Sequence, residues 1–162
     1  MQRRAMRIGL ISDTHGLLRP EALDFLAGSD HIVHGGDIGG PEILERLAAI
    51  APLTVVRGNN DAAAWAKSIP ATARLELGGI GVYVIHDIKE LDIDPGAAGV
   101  RVVVSGHSHK PACAERGGVL YVNPGSAGRR RFSLPIAAGE LLVEEGRVEV
   151  RLVDLHERSS MP

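Results

Sequence analysis

The aliphatic, β-branched runs of this chain are short, and the change in their spacing along the sequence constrains the fold more than any other feature. In the first part, Arg7 to Ser12, His31 to His34 and Leu53 to Arg57 read as strands separated by helix-like stretches. Pro20 precedes Glu21-Ala22-Leu23-Asp24-Phe25-Leu26, and Pro41 precedes Glu42-Ile43-Leu44-Glu45-Arg46-Leu47. Each stretch therefore opens with proline in its first turn and an acid near the positive end of the helix dipole. This is a βαβ rhythm with two crossover helices. A third, shorter helix is expected over Ala62 to Lys67, ended by Pro70. From Ala73 onward the strands crowd together: Arg74 to Leu77, Val82 to Ile85, Val100 to Ser105, Val119 to Val122, Ala137 to Val143 and Val148 to Val153. Glu144-Glu145-Gly146 between the last two reads as a tight hairpin. A βαβ part followed by a strand-rich part predicts an α/β fold in which two packed, mostly mixed β-sheets form a sandwich flanked by helices.

No linker, repeat or low-complexity segment interrupts the pattern, and 162 residues is an ordinary domain length. The expectation is a single domain over residues 1–162, with residues 1–6 and 157–162 as flexible ends. Aromatics make up only 3% of the chain, so Val, Ile, Leu and Ala must fill an aliphatic core. The net charge of −2 argues against the basic face that non-specific nucleic-acid binding requires, and favours small or locally docked substrates. Cys113 is the one cysteine, which excludes an intramolecular disulfide and reads as a small hydrophobe near a strand. The apolar stretch from Ile8 to Ile11 is too short for a signal-peptide core or a membrane span, so a cytoplasmic location is expected. Met1 and Met6 are both candidate starts.

Five apolar runs end at residues that can hold a metal. The run Ile8 to Ser12 stops at Asp13-Thr14-His15, Ile32 to Gly36 at Asp37, and Leu53 to Gly58 at Asn59. Val82 to Ile85 stops at His86, and Val102 to Gly106 at His107-Ser108-His109. In open α/β sheets the carboxyl ends of the strands line one crevice, so residues far apart in sequence can converge there. Asp13 with His15, and His107 with His109, stand two apart, which in extended chain turns both side chains to the same side. The set holds Asp, Asn and imidazole and no thiolate. That argues against structural zinc or iron–sulfur and for Mn, Fe, Ni, Co or Zn in higher coordination, whereas magnesium alone would want more oxygens.

Together, the motifs Asp-x-His, Gly-Asp, Gly-Asn-x-Asp, a strand-end His and Gly-His-x-His resemble the calcineurin-like metallophosphoesterase superfamily over nearly the whole chain. The small size, Gly58-Asn59-Asn60-Asp61, and Asn123-Pro124-Gly125-Ser126 followed by arginines resemble its compact bacterial and archaeal phosphodiesterase branch. That branch is also similar to the phosphoesterase-fold subunit of the retromer coat. The resemblance implies a four-layer fold and two divalent ions, manganese first among the candidates. It implies that Asp13, His15 and His109 hold the first ion, Asn59, His86 and His107 the second, and that Asp37 bridges them. It further implies hydrolysis of small or nucleotide-derived phosphoesters by a metal-bridging hydroxide.

Where relatives carry histidine after Gly-Asn, this chain has Asn60, which can donate a hydrogen bond but is no general acid. Asn60 is therefore expected to orient a phosphate oxygen, and the chemistry to favour diesters or acidic leaving groups. Asp87 follows His86 where glycine is frequent; it is an acceptor for a ligand histidine, a restriction of the mouth, or a turn residue. Asp61 is a partner that fixes a ligand or a turn residue. Arg129 and Arg130, with Arg131, either greet an anionic substrate or form a solvated cluster. His31 and His34 read as core or supporting residues, Trp65 as packing and His156 as inert. The alternative to an enzyme is a non-catalytic scaffold of the same fold. A small phosphoester is the expected partner, no membrane is involved, and a homo-oligomer remains open.

Overall fold

The structure, a computed structural model, describes residues 5–157 and 159–160. Its first sheet has six strands in the order β11-β10-β9-β1-β2-β3. These are β1 (Met6–Ile11), β2 (His31–His34), β3 (Leu53–Val55), β9 (Ala137–Glu144), β10 (Arg147–Asp154) and β11 (Ser159–Ser160). β1, β2 and β3 run parallel, while β9 joins β1 antiparallel. The second sheet has the order β4-β5-β6-β8-β7. Its strands are β4 (Thr72–Leu77), β5 (Ile80–Ile85), β6 (Val100–Val104), β7 (Ala112–Arg116) and β8 (Val119–Asn123). β5, β6 and β8 are parallel, with antiparallel β4 and β7 at the edges.

Alternation along the central strands decides what packs where. Ile8, Leu10 and Val33 point inward to meet Val82, Val84, Val102, Val104 and Val122 of the opposite sheet in one aliphatic core. Each such side chain, fully buried, contributes about 1.5–3 kcal/mol. The outer face of the six-stranded sheet receives α1 (Pro20–Leu26) and α2 (Pro41–Ala48), which bury Ala22, Leu26, Ile43 and Leu47 against it. Both helices begin at the expected prolines, with Glu21 and Glu42 in their first turns. Over the outer face of the five-stranded sheet the fourth layer is a loop bearing Ile88, Leu91, Ile93 and Ala98, which packs on Tyr83, Ile85 and Val103. The described residues contain no helix long and apolar enough to cross a membrane.

Three hairpins share one device. Gly78-Gly79, Gly117-Gly118 and Glu145-Gly146 each link paired strands through two residues of positive φ, the backbone that matches the strands' right-handed twist. The stretch expected as a helix over Ala62 to Lys67 forms only a 3-10 turn, Ala64–Ala66. So few residues cannot repay helix nucleation, and Pro70 follows closely. β7, with every residue exposed, carries no alternation to betray it. At the ends, Met6 already pairs with Val143, and Ser159–Ser160 pair with Val153 and Asp154, so the expected flexible ends are too generous at these positions. Residues 1–4, 158 and 161–162 lie outside the described residues.

Candidate metal centre

β1, β2, β3, β5 and β6 all deliver their carboxyl ends to one rim, and the chain turns there in an unusual way. Asp13 (φ 54°), His15 (45°), Asp37 (57°), His107 (70°) and His109 (63°) hold left-handed backbone. The extended chain expected through Asp13 to His15 and His107 to His109 is therefore wrong, although the side chains do converge. Such residues cost of order 1–3 kcal/mol each and persist where the surroundings over-determine them. Here the backbones of the first two loops are laced together, by Asp13 N–H to Gly36 O, His15 N–H to Asp37 O and Gly16 N–H to Ile38 O.

Two groups of donors result. In the first, Asp13 Oδ1 lies 3.5 Å from His109 Nε2 and 3.8 Å from His15 Nε2, and the two imidazole nitrogens are 3.4 Å apart. In the second, Asp37, His86 and His107 bring one ligand atom each within 4.8 Å of one another. Asn59 Oδ1 joins them, 2.9 Å from His86 Nε2 and 3.2 Å from His107 Nδ1. Asp37 Oδ2 stands between the groups, 3.7 Å from His15 Nε2 and 3.3 Å from His86 Nε2. All seven residues singled out in the sequence thus meet on this rim.

This donor set fits a cation. Asp13 is fully buried, yet its Oδ1 receives no hydrogen bond and faces imidazole nitrogens instead. A buried carboxylate oxygen left so is costly unless positive charge completes it. The two carboxylates act in turn on the imidazoles that face them. His15 is pushed above its ordinary pKa, first by the nearby Asp13 carboxylate and, against the downward pull of burial, by Asp37. Burial pulls His86 down, but Asp37, the Gly35 carbonyl and Asp13 outweigh it, and the net shift is upward. His86 Nδ1 lies 2.7 Å from Gly35 O and donates to it, which fixes the ring so that Nε2 is the atom facing Asp37 and Asn59.

A scaffold the sequence did not reveal holds these ligands. Ser12 Oγ and the His107 N–H both donate to Asp13 Oδ2. Ser126 Oγ donates to the Asp13 carbonyl, and Asn123 Nδ2 to Gly106 O and Ser108 Oγ. His34 is completely buried; Gly36 N–H donates to its Nδ1, so its Nε2–H donates to Thr14 Oγ1, which in turn donates to Ile38 O. Burial, the dominant effect, lowers the His34 pKa to about 4. The Asn-Pro-Gly-Ser segment was a visible signal, but nothing in its letters says that it braces Asp13.

The other expected residues divide. Asp61 is buried and grips backbone rather than a ligand side chain: Oδ1 accepts from Ile38 N–H (2.9 Å) and Gly39 N–H (3.3 Å), and Oδ2 from Gly58 N–H (2.9 Å). Asp87 serves as a turn residue, accepting from Lys89 N–H, and its Oδ2 also lies 3.7 Å from His107 Nε2. It borders a cavity of 310 Å³ that opens beside His86, His107 and Asn59 and is walled by Asp92 and Arg57. Asn60 donates twice to Asp37, from its N–H to Oδ1 (2.9 Å) and from Nδ2 to Oδ2 (3.2 Å). Arg129 and Arg130 are exposed, and the arginine whose charge reaches His109 is Arg131. His31 bonds Thr54, Trp65 packs against the core, and Cys113 and His156 are exposed.

Known proteins resemble this chain at two levels of likeness. A "Probable metallophosphoesterase" of Methanocaldococcus jannaschii is 33% identical, over 94% of this chain and 83% of its own length. Among solved structures, vacuolar protein sorting 29 of Cryptosporidium parvum superposes with a TM-score of 0.82 at 21% identity, covering 98% of this chain and 96% of the other. The wild-type Vps29 of Entamoeba histolytica, complexed with zinc, gives a TM-score of 0.78 at 23% identity over 96% of each chain; at such identities these two share the fold. The profile of the calcineurin-like phosphoesterase superfamily domain matches residues 6–146, a span that contains every strand-end donor described above. The chain belongs to the calcineurin-like phosphoesterase superfamily.

Proposed function

We propose that this protein is a dinuclear-metal-dependent phosphodiesterase acting on small or nucleotide-derived phosphoesters. The observation that carries the reading is the place of Asp37: one carboxylate oxygen stands within 3.7 Å of His15 Nε2 and 3.3 Å of His86 Nε2, between two donor groups. A carboxylate can serve two cations, whereas a neutral imidazole offers one nitrogen. Asp13, His15 and His109 would hold one ion, and Asn59, His86 and His107 the other. Two divalent ions, manganese first and iron, nickel, cobalt or zinc also compatible with the donors, would neutralise phosphoryl charge and acidify water. The zinc complex of the Entamoeba protein supports a divalent occupant for this fold.

The chain's own residues set the specificity. Asn60 Nδ2 donates to the same Asp37 oxygen that a cation would take. With a cation held by Asp37, the Asn60 amide would be placed to donate to a phosphate oxygen instead. An amide cannot protonate a leaving group, so esters whose leaving group departs unaided, aryl diesters above all, are the favoured substrates.

The test is to purify the protein without chelators, count its metals, and assay an aryl phosphodiester with manganese, nickel, magnesium or no ion. Turnover that requires added ion, exceeds that on alkyl phosphomonoesters, and is abolished in Asp37→Asn without unfolding supports the reading. Two bound metals with no turnover under any condition would move the protein to the scaffold alternative.

A further inference from the structure

Among the described residues, seven other than glycine hold a left-handed backbone. Five are Asp13, His15, Asp37, His107 and His109 of the metal centre, and Glu145 sits in a hairpin turn that demands this conformation. The seventh is Phe132, with φ 54°. A bulky aromatic residue in this region is a genuine outlier, and such outliers gather at ligand clamps and active sites. Packing does not account for it, because Phe132 is 88% exposed, the one large hydrophobic so placed among the described residues. The backbone spends conformational energy to hold an aromatic ring in water.

The loop that carries Phe132 is anchored beside the metal centre. Its loop leaves the fold where Ser126 pairs with Ile136, so both stems are fixed at the same point. The outgoing stem lies on the first metal loop: Ala127 N–H donates to Ser12 O and Ser126 Oγ to Asp13 O. Gly128 presses so closely on it that a Cβ there would come within 2.2 Å of Thr14 O. Arg19 Nε holds the Gly128 carbonyl from the other side. Leu134 N–H then closes a turn onto Arg131 O, with Phe132 inside it. The adjoining Arg131 is near enough for its charge to act on His109.

We propose that Arg131 and Phe132 form a substrate clamp, in which Arg131 draws the anionic phosphoryl group to the His15 and His109 side of the centre and the Phe132 ring stacks on a planar group of the ester. The substrates selected are nucleoside-type or other aromatic phosphoesters, and simple alkyl ones are disfavoured. A guanidinium suits phosphate oxygens, and an aromatic face accepts any base without reading its edge. The inference rests on the phosphodiesterase reading for the identity of the anion, and its test is one of binding.

Adenosine monophosphate and inorganic phosphate are titrated by calorimetry into the manganese-loaded full chain. The wild type should bind the nucleotide about tenfold tighter than phosphate, in keeping with a single aromatic–base stack. Phe132→Ala should remove that advantage while leaving phosphate affinity and Tm unchanged, and Phe132→Tyr should restore it. Arg131→Ala should weaken both ligands. Equal affinity of the wild type for nucleotide and phosphate, or undiminished nucleotide binding by Phe132→Ala, overturns the clamp. If the binding pattern holds but no diester is turned over, the catalytic reading falls and the clamp stands. If diesters are turned over and the pattern fails, the reverse is true.

Discussion

Replacing Asp61 tests whether the metal centre is organised through its backbone. This carboxylate is 5% exposed and accepts three N–H groups, from Ile38, Gly39 and Gly58. Those donors belong to the loops that present Asp37 and Asn59, so Asp61 fixes one loop against the other. In Asp61→Ala all three N–H groups lose their acceptor. At roughly 1 kcal/mol or more for each buried donor left unpaired, and less for the part-buried Gly39 N–H, the loss is about 2 kcal/mol or greater. Asp61→Asn keeps the shape and one acceptor oxygen, but its NH2 must face either the Gly58 N–H or the Ile38 and Gly39 pair. That single conflict costs about 1–3 kcal/mol, which for a chain of this size lowers Tm by roughly 2–12 °C. The measurement is urea and thermal unfolding in chelator, because bound metal would add its own mass-action stabilisation. Metal titrations of the folded variants should show weaker binding of both ions, because the bridging Asp37 and Asn59 are no longer in register. An Asp61→Asn protein within about 0.5 kcal/mol of wild type, with unchanged metal affinities, would refute the argument and return Asp61 to the status of a turn residue.

Other perturbations address the site from different sides. In Gly58→Ala the new Cβ would sit 2.1 Å from Asp37 Oδ1 and 2.2 Å from Asp37 N, and backbone cannot yield as a side chain does. The variant should fold by circular dichroism yet lose activity about 100-fold or more, the scale of an ångström misplacement; near-normal turnover would contradict the tight approach. His34, lowered from 6.5 to about 4, binds a proton more weakly folded than unfolded. Its contribution is therefore present above pH 6.5 and lost as pH falls toward 4. Between pH 7 and pH 5 the metal-free protein should lose about 2 kcal/mol more stability than a His34→Gln control, and parallel urea curves for the two would exclude it. Glu140, 5% exposed, is paired with Arg7 and Arg151 across the sheet. Glu140→Ala should destabilise by about 1–3 kcal/mol, discounted because Arg151 is half exposed, while metal content stays unchanged.

The fold was legible where burial imposes a period. β4 and β10 alternate, the helices announce themselves by Pro20 and Pro41, and Glu145-Gly146 marks a hairpin. β7 was not, because both of its faces meet water and its letters, Ala-Cys-Ala-Glu-Arg, obey no hydrophobic rule. The asymmetry of the outer layers was hidden for a similar reason: the cover over Tyr83 and Val103 is a loop whose Ile88, Leu91 and Ile93 have no fixed spacing. In the site, ligand identity was readable because few residue types hold a metal and each stood at a strand end. Of the residues that position them, Asp61 was singled out as either a fixing partner or a turn residue, and the others were not. Ser12, Asn123 and Ser126 are the types that any turn employs, and only their partners distinguish them.

The backbone at the ligands sharpens that distinction into a statement about how the centre works. In extended chain Asp13 and His15 would share a face by simple alternation, and little else would be needed to aim them. Left-handed conformations at these two residues, and at Asp37, His107 and His109, instead need outside support. It comes from Gly36 and Asp37 carbonyls for the first loop, and from Asp13 Oδ2 and Asn123 for the Gly106–His109 turn. Each ligand loop is thus held by the loop that carries another ligand, so none can relax alone. A change in one ligand's backbone, as in Gly58→Ala, should propagate to donors on a different strand, whereas truncating a ligand side chain such as His109 should leave the other loops in place. Metal titrations that show backbone variants weakening both ions, and side-chain variants mainly one, would follow from this interlocking; the opposite pattern would mean that the loops are independent.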